Sequence, residues 1–405
     1  MNKAQVKVLV VAHKFPPFSG VGANRWTHLS KCLAEQGFNL SVLTVWRGRV
    51  STTSNHLDIH FIQKFGFYRF LNTKFKSKIV SGVFARFVEL IRKIFWYDDE
   101  AQFLGESLEV AIKKFLSKHK KIVLIATGHP FQINRWAAEI KRKYSDQIIL
   151  IQDFRDPWAD NPFKKYLFDF QLRKVKEWQE KALRYSDENV YVTNGLKNLM
   201  ETQAKKGTVI ENGHPFTSIN SAIKKGNYII HAGTLANGRD VIAEPFFQLC
   251  AENPKILGGR QVIFYGRISF WLLEKYRLLF REDLFVTKGV VAQEELKSAY
   301  LGADFALQFN SKEYPYLVST KIYEHAALGL ATLSINGGGE IEHLIEKHRI
   351  GESTRADRDS IKKALKLVDQ RDYSDSLNKF ANMSSFKNRS FQYSELIMQL
   401  YTESL

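Results

Sequence analysis

The sequence predicts an α/β protein built from two doubly wound, parallel-sheet domains. Two observations predict this fold class. Short, continuous apolar runs, which are typical of buried parallel strands, alternate with helical patterns along most of the 405 residues. The chain is also longer than a typical single domain, and the alternation starts afresh after a junction near 205–225. We therefore expect domains at 1–205 and 206–385, followed by a last helix at 386–405.

The first domain opens with a strand, a loop, a helix and a second strand. The first strand is predicted at Val6–Ala12 and the second at Phe38–Val45, because both are apolar runs bounded by polar residues. The helix between them, at about 25–36, ends before Gly37, a residue that favours helix termination. Further strands are predicted at 121–126, 147–152 and 189–193, with a helix at 131–143.

The second domain repeats this alternation. The predicted strands are 227–232, 261–265, 284–287, 303–309 and 331–335. The predicted helices begin near 241, 270, 293 and 319, and the tail 391–405 has the apolar stripe of a last helix. In the helix that Ser319 or Thr320 can cap and Gly329 can end, Lys321 and Glu324 are three residues apart and therefore share a face.

The charge of the chain is concentrated in its first half. Residues 1–206 contain 35 Lys and Arg against 19 Asp and Glu, whereas residues 207–405 contain 24 against 23. This asymmetry predicts an anionic surface or substrate facing the first half, such as a membrane, a phosphorylated acceptor or nucleic acid.

Two other features of composition indicate the cellular setting. Cys32 and Cys250 are far apart, so the sequence suggests neither a disulfide framework nor a cysteine-based metal site, and it fits a reducing, cytoplasmic compartment. The short apolar run at the N-terminus lacks the features of a signal peptide, and we expect no transmembrane helix because no run of about 18 apolar residues occurs.

Three motifs of the first domain follow predicted strands, where ligands of α/β sheets usually bind. In 16-PPFSGVGANR-25, Gly20 and Gly22 would let the backbone approach a phosphate, unless this is a plain strand-to-helix turn. His129 is a candidate general base or hydrogen-bond donor, or else a structural histidine. In 153-DFRDPWADNP-162 the candidate catalytic residues Asp153, Arg155 and Asp156 compete with a structural ion-pair network, and their spacing does not diagnose a metal site.

The motifs of the second domain indicate a nucleotide diphosphate. Gly233 and Thr234 offer donors at a turn, and Arg239 could bind a diphosphate in a bidentate manner. Lys321 could pair with phosphate, and the Glu324 carboxylate could accept two hydrogen bonds from a ribose diol. Each signal is weak alone, but all are predicted at the carboxyl edge of one sheet.

The segment 64–97 combines eight Lys and Arg with one Glu and ten aromatic residues. Basic segments with Phe and Trp lie in membrane interfaces, so we predict a membrane-facing surface here, the alternative being a helical pair packed on the domain. Its predicted contact residues are Lys74, Phe75, Lys76, Lys78, Arg92, Lys93 and Trp96. We expect no nucleic-acid partner, because no nucleic-acid-binding motif is present.

These motifs, in this order, resemble those of the family-four glycosyltransferases. The opening FPPFSGVGANRW with LAEQGFNLSVLT is similar to that family's first strand, glycine loop and second strand. DFRDPW, the Gly-Thr-Leu…Gly-Arg-Asp segment and TKIYEHAALG resemble a bacterial subgroup that builds surface polysaccharides. The resemblance covers residues from about 6 to 350.

The resemblance implies the GT-B fold, in which two Rossmann-like domains face a central cleft and the C-terminal helix crosses back to the first domain. It implies a nucleotide-sugar donor on the second domain, with Glu324 at the ribose, Arg239 and Lys321 near the diphosphate, and Gly20 against the phosphates. Many members carry two glutamates separated by seven residues, but here Tyr316 is the residue eight positions before Glu324. Thr234 also stands where members often have Arg.

The function that the resemblance implies is glycosyl transfer, with retention, to a lipid-linked or polysaccharide acceptor of a cell-surface glycan. No cofactor and no metal ion is expected to be required. The protein would be cytoplasmic and peripheral at the inner leaflet, where anionic lipid meets the basic first half. The alternatives are a nucleotide-sugar epimerase of the same fold, and a non-catalytic scaffold subunit that binds sugar nucleotides.

Overall fold

The computed structural model describes residues 2–16, 21–45, 57–62, 93–201, 207–216, 226–336 and 338–405. The chain divides into two compact units, Met1–Glu211 with Arg389–Leu405, and Asn212–Asn388. Each unit contains one sheet in which every described strand pair is parallel. The predicted fold class, two doubly wound α/β domains, is confirmed.

The first unit contains a seven-stranded sheet in the order β3-β2-β1-β4-β5-β6-β7. The strands are β1 (Lys7–Ala12), β2 (Asn39–Val45), β3 (Asp58–Ile62), β4 (Ile122–Thr127), β5 (Ile148–Phe154), β6 (Glu188–Tyr191) and β7 (Thr208–Val209). The helices are α1 (Val21–Glu35), α2 (Gly105–Leu116), α3 (Gln132–Lys143), α4 (Asp169–Arg184) and α5 (Asn194–Met200), after a short 3-10 helix at Lys3–Gln5.

The second unit contains a six-stranded sheet in the order β10-β9-β8-β11-β12-β13. Its strands are β8 (Tyr228–Ala232), β9 (Gln261–Tyr265), β10 (Phe285–Gly289), β11 (Phe305–Asn310), β12 (Thr332–Asn336) and β13 (Gly351–Arg355). Its helices are α6 (Arg239–Glu252), α7 (Phe270–Lys275), α8 (Arg277–Arg281), α9 (Gln293–Gly302), α10 (Lys321–Ala327), α11 (Glu340–His348), α12 (Arg358–Gln370) and α13 (Ser374–Met383), with a 3-10 helix at Pro254–Leu257. Helix α14 (Phe386–Glu403) follows.

The central strands of both sheets are buried, as their apolar runs predict. Every residue of β1, β4 and β5 is buried, which requires helices on both faces of the sheet. Two boundaries differ from the sequence prediction. Helix α1 begins at Val21, so residues 21–24 form its first turn instead of the end of a loop. Strand β5 runs on to Phe154 and therefore includes Asp153, which was expected just beyond the strand.

A buried ion pair fixes the last helix to the first sheet. Arg25 on α1 and Asp153 on β5 are 2% and 0% exposed, and Arg25 Nη2 lies 3.2 Å from Asp153 Oδ1. Tyr393 on α14 donates its hydroxyl to the same oxygen at 2.6 Å, and the Arg25 guanidinium also donates to the carbonyl of Ile210 at 2.7 Å. The return of the C-terminal helix to the first unit is therefore confirmed.

The second oxygen of Asp153 is also bound. Trp26 Nε1 donates to Oδ2 at 2.7 Å, and the Thr127 hydroxyl donates to it at 2.9 Å. Burial alone would raise the pKa of this carboxyl, but Arg25, Tyr393 and Trp26 hold the pKa below its usual value. Asp153 is therefore an ionised structural carboxylate whose two oxygens are both occupied.

We predict that Asp153→Ala strongly destabilises the first unit. The substitution leaves the Arg25 charge buried without its counter-ion, a change that typically costs about 3–5 kcal/mol. Tyr393→Phe removes only one hydroxyl, and the expected cost is about 1 kcal/mol. Scanning calorimetry of both variants tests this order, and melting of Asp153→Ala within a degree of the wild type would contradict it.

Candidate functional site

The carboxyl edge of the first sheet carries the loops that follow β1, β4 and β5. Arg155, just beyond β5, joins two of these regions: its Nε and Nη2 donate to the Gly128 carbonyl at 3.0 and 2.9 Å, and its Nη1 donates to the Gly22 carbonyl at 2.7 Å. The guanidinium therefore orders the backbone around the edge. Two of the four predicted catalytic residues, Arg155 and Asp153, are thus engaged within the protein.

His129 and Asp156 have a different environment. Neither side chain makes a hydrogen bond or an ion pair with the residues that the structure describes. Burial, with the nearby charge of Lys14, lowers the pKa of His129 to about 4, so its imidazole is neutral at pH 7. Burial raises the pKa of Asp156, although the charges of Arg155 and Lys14 oppose that shift. Both groups therefore have hydrogen-bonding capacity that a ligand could use.

The sequence reasoning missed a buried acidic pair beside this edge. Asp98 Oδ2 accepts hydrogen bonds from Gln132 Nε2 at 2.6 Å and from Trp158 Nε1 at 3.0 Å, and Lys164 forms an ion pair with Oδ1. Asp99 accepts from the backbone N–H of Gln132 at 3.0 Å. Burial and the neighbouring Asp98 raise the pKa of Asp99 to about 7. The pair holds the chain around residue 98 against the start of α3.

The corresponding edge of the second sheet is built from the ends of β8, β9, β11 and β12. The loop after β8 is bound to the loop after β9, because the Gly233 N–H donates to the Tyr265 carbonyl at 2.7 Å and the Leu235 N–H donates to the Arg267 carbonyl at 2.8 Å. The Gly233 N–H is therefore occupied. Thr234 is exposed, and its hydroxyl remains available to a ligand.

Two glycines allow the loops of this edge to approach closely. Gly238 has φ +85° at the start of α6, and a Cβ there would lie 2.6 Å from Ser311 Oγ. Gly339 has φ +111°, and its Cβ would lie 2.2 Å from the Pro315 carbonyl oxygen. The Glu313 side chain also lies here, with its Oε2 3.5 Å from the Cβ position of Gly238.

Arg239, Lys321 and Glu324 lie together at this edge. Arg239 is the first residue of α6, and Lys321 is the first residue of α10, one turn before Glu324. Among the described residues, none of the three side chains has a hydrogen-bonding or ion-pairing partner. Burial lowers the pKa of Lys321, as does the Arg239 charge, while Glu324 opposes the shift. Burial raises the pKa of Glu324, with Lys321 opposing.

His231, at the end of β8, was not predicted. Its Nδ1 donates to the Leu307 carbonyl at 2.8 Å, which leaves Nε2 as the lone-pair acceptor. The residue is only 2% exposed, and Nε2 has no hydrogen-bonding partner within the ranges that the structure describes. This atom lies 3.5 Å from the Cβ position of Gly233, at the loop that leads to Arg239. The signal in the sequence was a histidine at the carboxyl end of an apolar strand.

The predicted membrane-facing residues lie mostly outside the described part of the chain. Lys74, Phe75, Lys76, Lys78 and Arg92 fall there, and so does the predicted donor residue Gly20. Lys93 is exposed, whereas Trp96 is half-buried and donates its indole N–H to the Asp99 carbonyl.

Among the described residues, no group of three or more His, Cys, Asp or Glu side chains could hold a metal ion. Helices that could span a bilayer are likewise absent from this part of the chain.

No family model matches the chain, and no curated protein matches it. Solved structures do match. Sucrose-phosphate synthase from Thermosynechococcus elongatus is 12% identical, with a TM-score of 0.66 over 98% of this chain and 100% of that one. The lipopolysaccharide outer core galactosyltransferase WaaB is 11% identical, with a TM-score of 0.63 over 97% of this chain and 99% of its own.

A third similar structure belongs to a different class of enzyme. It is that of a candidate UDP-N-acetylglucosamine 2-epimerase from Listeria monocytogenes, which is 11% identical, with a TM-score of 0.58 over 98% of this chain and 97% of its own. At such identities these likenesses show the fold alone. The fold of this protein is the GT-B fold.

We predict that the buried histidines of the second unit make it sensitive to acid. Burial lowers the pKa of His231 to about 4 and that of His325 to about 3, below the ordinary value of about 6.5. Between pH 6.5 and about 4, the unfolded chain binds protons that the folded chain does not bind. Stability therefore falls as the pH falls through this window, by about 2 kcal/mol per histidine at pH 5.

His231→Asn tests this prediction, because an asparagine amide can still donate to the Leu307 carbonyl. We expect the difference in melting temperature between pH 7 and pH 5 to shrink in this variant. His343→Asn, at an exposed histidine of the same unit, is the control and should keep the wild-type difference. An unchanged difference in His231→Asn would show that His231 does not titrate as described.

Proposed function

We propose that this protein is a retaining, family-four type glycosyltransferase of cell-surface glycan biosynthesis. It moves a sugar from a nucleotide diphosphate sugar to a lipid-linked or polysaccharide acceptor, such as that of an O-antigen, a capsule or an exopolysaccharide. The observation that carries the proposal is the set of three unpaired charged side chains at the carboxyl edge of the second sheet. Arg239, Lys321 and Glu324 are the charges that a nucleotide diphosphate sugar would satisfy.

The donor site is assigned to the second unit on the chemistry of these side chains. A partly desolvated lysine and carboxylate are costly to keep charged, and a ligand of complementary charge removes that cost. Arg239 and Lys321 would bind the diphosphate oxygens, and the two oxygens of Glu324 would accept hydrogen bonds from a vicinal diol of the ribose. The lone pair of His231 Nε2 would accept a further hydroxyl from the donor.

The reaction follows from these assignments. The bond between the anomeric carbon and the diphosphate oxygen breaks, its electron pair leaves with the diphosphate, and the acceptor oxygen bonds to the anomeric carbon. The acceptor hydroxyl gives up its proton to the departing diphosphate. Arg239 and Lys321 would stabilise the negative charge that develops on the leaving diphosphate. Positioned cations lower the activation barrier mainly through this stabilisation. The proposed reaction does not require a metal ion.

The acceptor is assigned to the first unit. His129 and Asp156 have unused hydrogen-bonding capacity at the carboxyl edge of its sheet, whereas Asp153 and Arg155 hold the backbone there. We therefore assign acceptor hydroxyl contacts to His129 and Asp156 and a supporting role to the other two. The excess of Lys and Arg in residues 1–206 supports a place for the protein at the anionic inner leaflet.

A nucleotide-sugar epimerase is the second candidate, because the candidate epimerase structure shares this fold. Both enzymes would bind a nucleotide sugar at the same edge of the second sheet. They differ in their products, because an epimerase returns a sugar that is still joined to the nucleotide, whereas a transferase releases a nucleoside diphosphate only when an acceptor is present. A non-catalytic scaffold subunit would bind the donor and do neither.

We predict that one nucleotide diphosphate sugar raises the melting temperature of the wild type by a few degrees, because a ligand that binds only the folded state stabilises it. A panel of UDP-, GDP-, ADP- and dTDP-sugars identifies that donor by scanning fluorimetry. Glu324→Gln should lose most of the shift. If no donor at millimolar concentration shifts the wild type, the assignment of the donor site is wrong.

Lys321→Met gives a second, opposite signature. Without ligand this variant should melt at a higher temperature than the wild type, because a desolvated, unpaired ammonium is replaced by an apolar chain of similar length. With the donor it should show little or no shift. Lys347→Met, at an exposed lysine of α11, is the matched control: it should change neither the melting temperature nor the response to the donor.

A further inference from the structure

The first unit exposes a cluster of large apolar side chains that the donor and acceptor assignments do not use. We call it the aromatic face, and it consists of Phe95, Phe163, Leu167, Phe168 and Phe170. Their exposed fractions are 63%, 53%, 49%, 45% and 50%. Large apolar side chains are normally scattered singly over a soluble protein, so five in two neighbouring segments indicate an interaction surface.

Hydrogen bonds hold the two segments of the aromatic face together. Gln171, which is fully buried, donates to the backbone carbonyls of Lys93 and Ile94 at 2.9 and 3.2 Å, and it accepts from the Leu167 N–H at 2.9 Å. The rings of Phe168 and Phe170 stack with their centroids 5.5 Å apart. The exposure of these side chains is therefore part of an ordered arrangement.

Exposed cations alternate in sequence with the aromatic face. Lys165 and Arg173 are exposed, and neither forms an ion pair with any residue in the described ranges. Lys174 is also exposed and pairs with Glu177 at 2.8 Å. Residues 163–174 contain four Lys and Arg but one acidic residue, Asp169. Exposed aromatic groups with a surplus of cations match the chemistry of an anionic bilayer surface.

The aromatic face adjoins the edge to which we assign the acceptor. The loop that carries it leaves β5 at the carboxyl edge of the first sheet, and Lys164 in that loop pairs with Asp98. Asp98 in turn accepts a hydrogen bond from Gln132, the first residue of α3. A surface docked through the aromatic face would therefore lie beside His129 and Asp156.

We propose that the aromatic face docks the protein on an anionic lipid bilayer. In this arrangement Phe168 and Phe170 insert among the lipid headgroups, and Lys165 and Arg173 bind lipid phosphates. A second copy of the chain is a poorer occupant, since its own cations would meet those of the first copy across the contact. The statement that docking brings a membrane-held acceptor to His129 and Asp156 rests on the proposed function, but the docking itself does not.

Co-sedimentation of the full chain with vesicles tests the proposal. The vesicles contain phosphatidylcholine with or without phosphatidylglycerol, and the test variants are Phe168→Ser/Phe170→Ser and Lys165→Glu/Arg173→Glu. Phe270→Ser is the matched control, because Phe270 is a 76% exposed phenylalanine of the second unit. The melting temperature of each variant without ligand shows that it is folded.

We expect the wild type and Phe270→Ser to sediment with vesicles that contain phosphatidylglycerol. Both double variants should bind about tenfold more weakly or worse, because each loses either two rings that insert into the bilayer or two contacts to lipid phosphates. Sedimentation of folded double variants at the wild-type level, or no sedimentation of the wild type, would overturn the proposal. So would a concentration-dependent dimer in light scattering that the Phe168→Ser/Phe170→Ser change abolishes, because a second copy would then occupy the face. The melting-temperature panel with nucleotide sugars is an independent measurement, so a failure to bind any donor would not affect the vesicle result.

Discussion

The first unit depends on one buried ion pair between Arg25 and Asp153. A charge pair of this kind survives burial only when its remaining hydrogen-bonding positions are filled, and here Tyr393, Trp26 and Thr127 fill them on the carboxylate. The ion pair and its hydrogen bonds therefore fix α1, β5 and α14 relative to one another. The ion pair also explains why the residues of the DFRDPW motif have different roles. Asp153 and Arg155 hold the backbone at the edge of the sheet, whereas Asp156 keeps unused hydrogen-bonding capacity.

The second unit shows the opposite arrangement of charge. Arg239, Lys321 and Glu324 lie at one edge of the sheet without hydrogen-bonding or ion-pairing partners among the described residues, and burial moves the pKa values of Lys321 and Glu324 toward their neutral forms. A fold selected for stability alone would pair such groups or replace them. Unpaired, partly desolvated charges are typical of sites that a charged ligand completes. This contrast between the two units is the physical basis for placing the nucleotide diphosphate on the second one.

The sequence predicted the central strands and the helix that carries Lys321 and Glu324 because these signals are local. Apolar runs identify β1, β4 and β5, and the spacing of Lys321 and Glu324 places them on one face of a helix. The edge strands β3 and β13 were missed, because their sequences, DIHFI and GESTR respectively, lack the continuous apolar run of a buried strand. The sequence left Asp153 open between a catalytic role and a structural ion pair, and it could not decide because the partner Tyr393 is 240 positions away in the chain. His231 was overlooked for a related reason: inside an apolar strand, a histidine with an unpaired ring nitrogen looks the same as one that is fully bonded.

Product analysis tests whether the protein transfers a sugar from a nucleotide to an acceptor. The donor that stabilises the protein would be incubated with the enzyme and a bacterial membrane lipid extract, and the products would be separated and weighed by mass spectrometry. We expect a free nucleoside diphosphate together with a lipid or glycan heavier by one sugar residue, formed only when the extract is present. Recovery of the sugar still joined to its nucleotide, unchanged or as an isomer, would contradict this expectation.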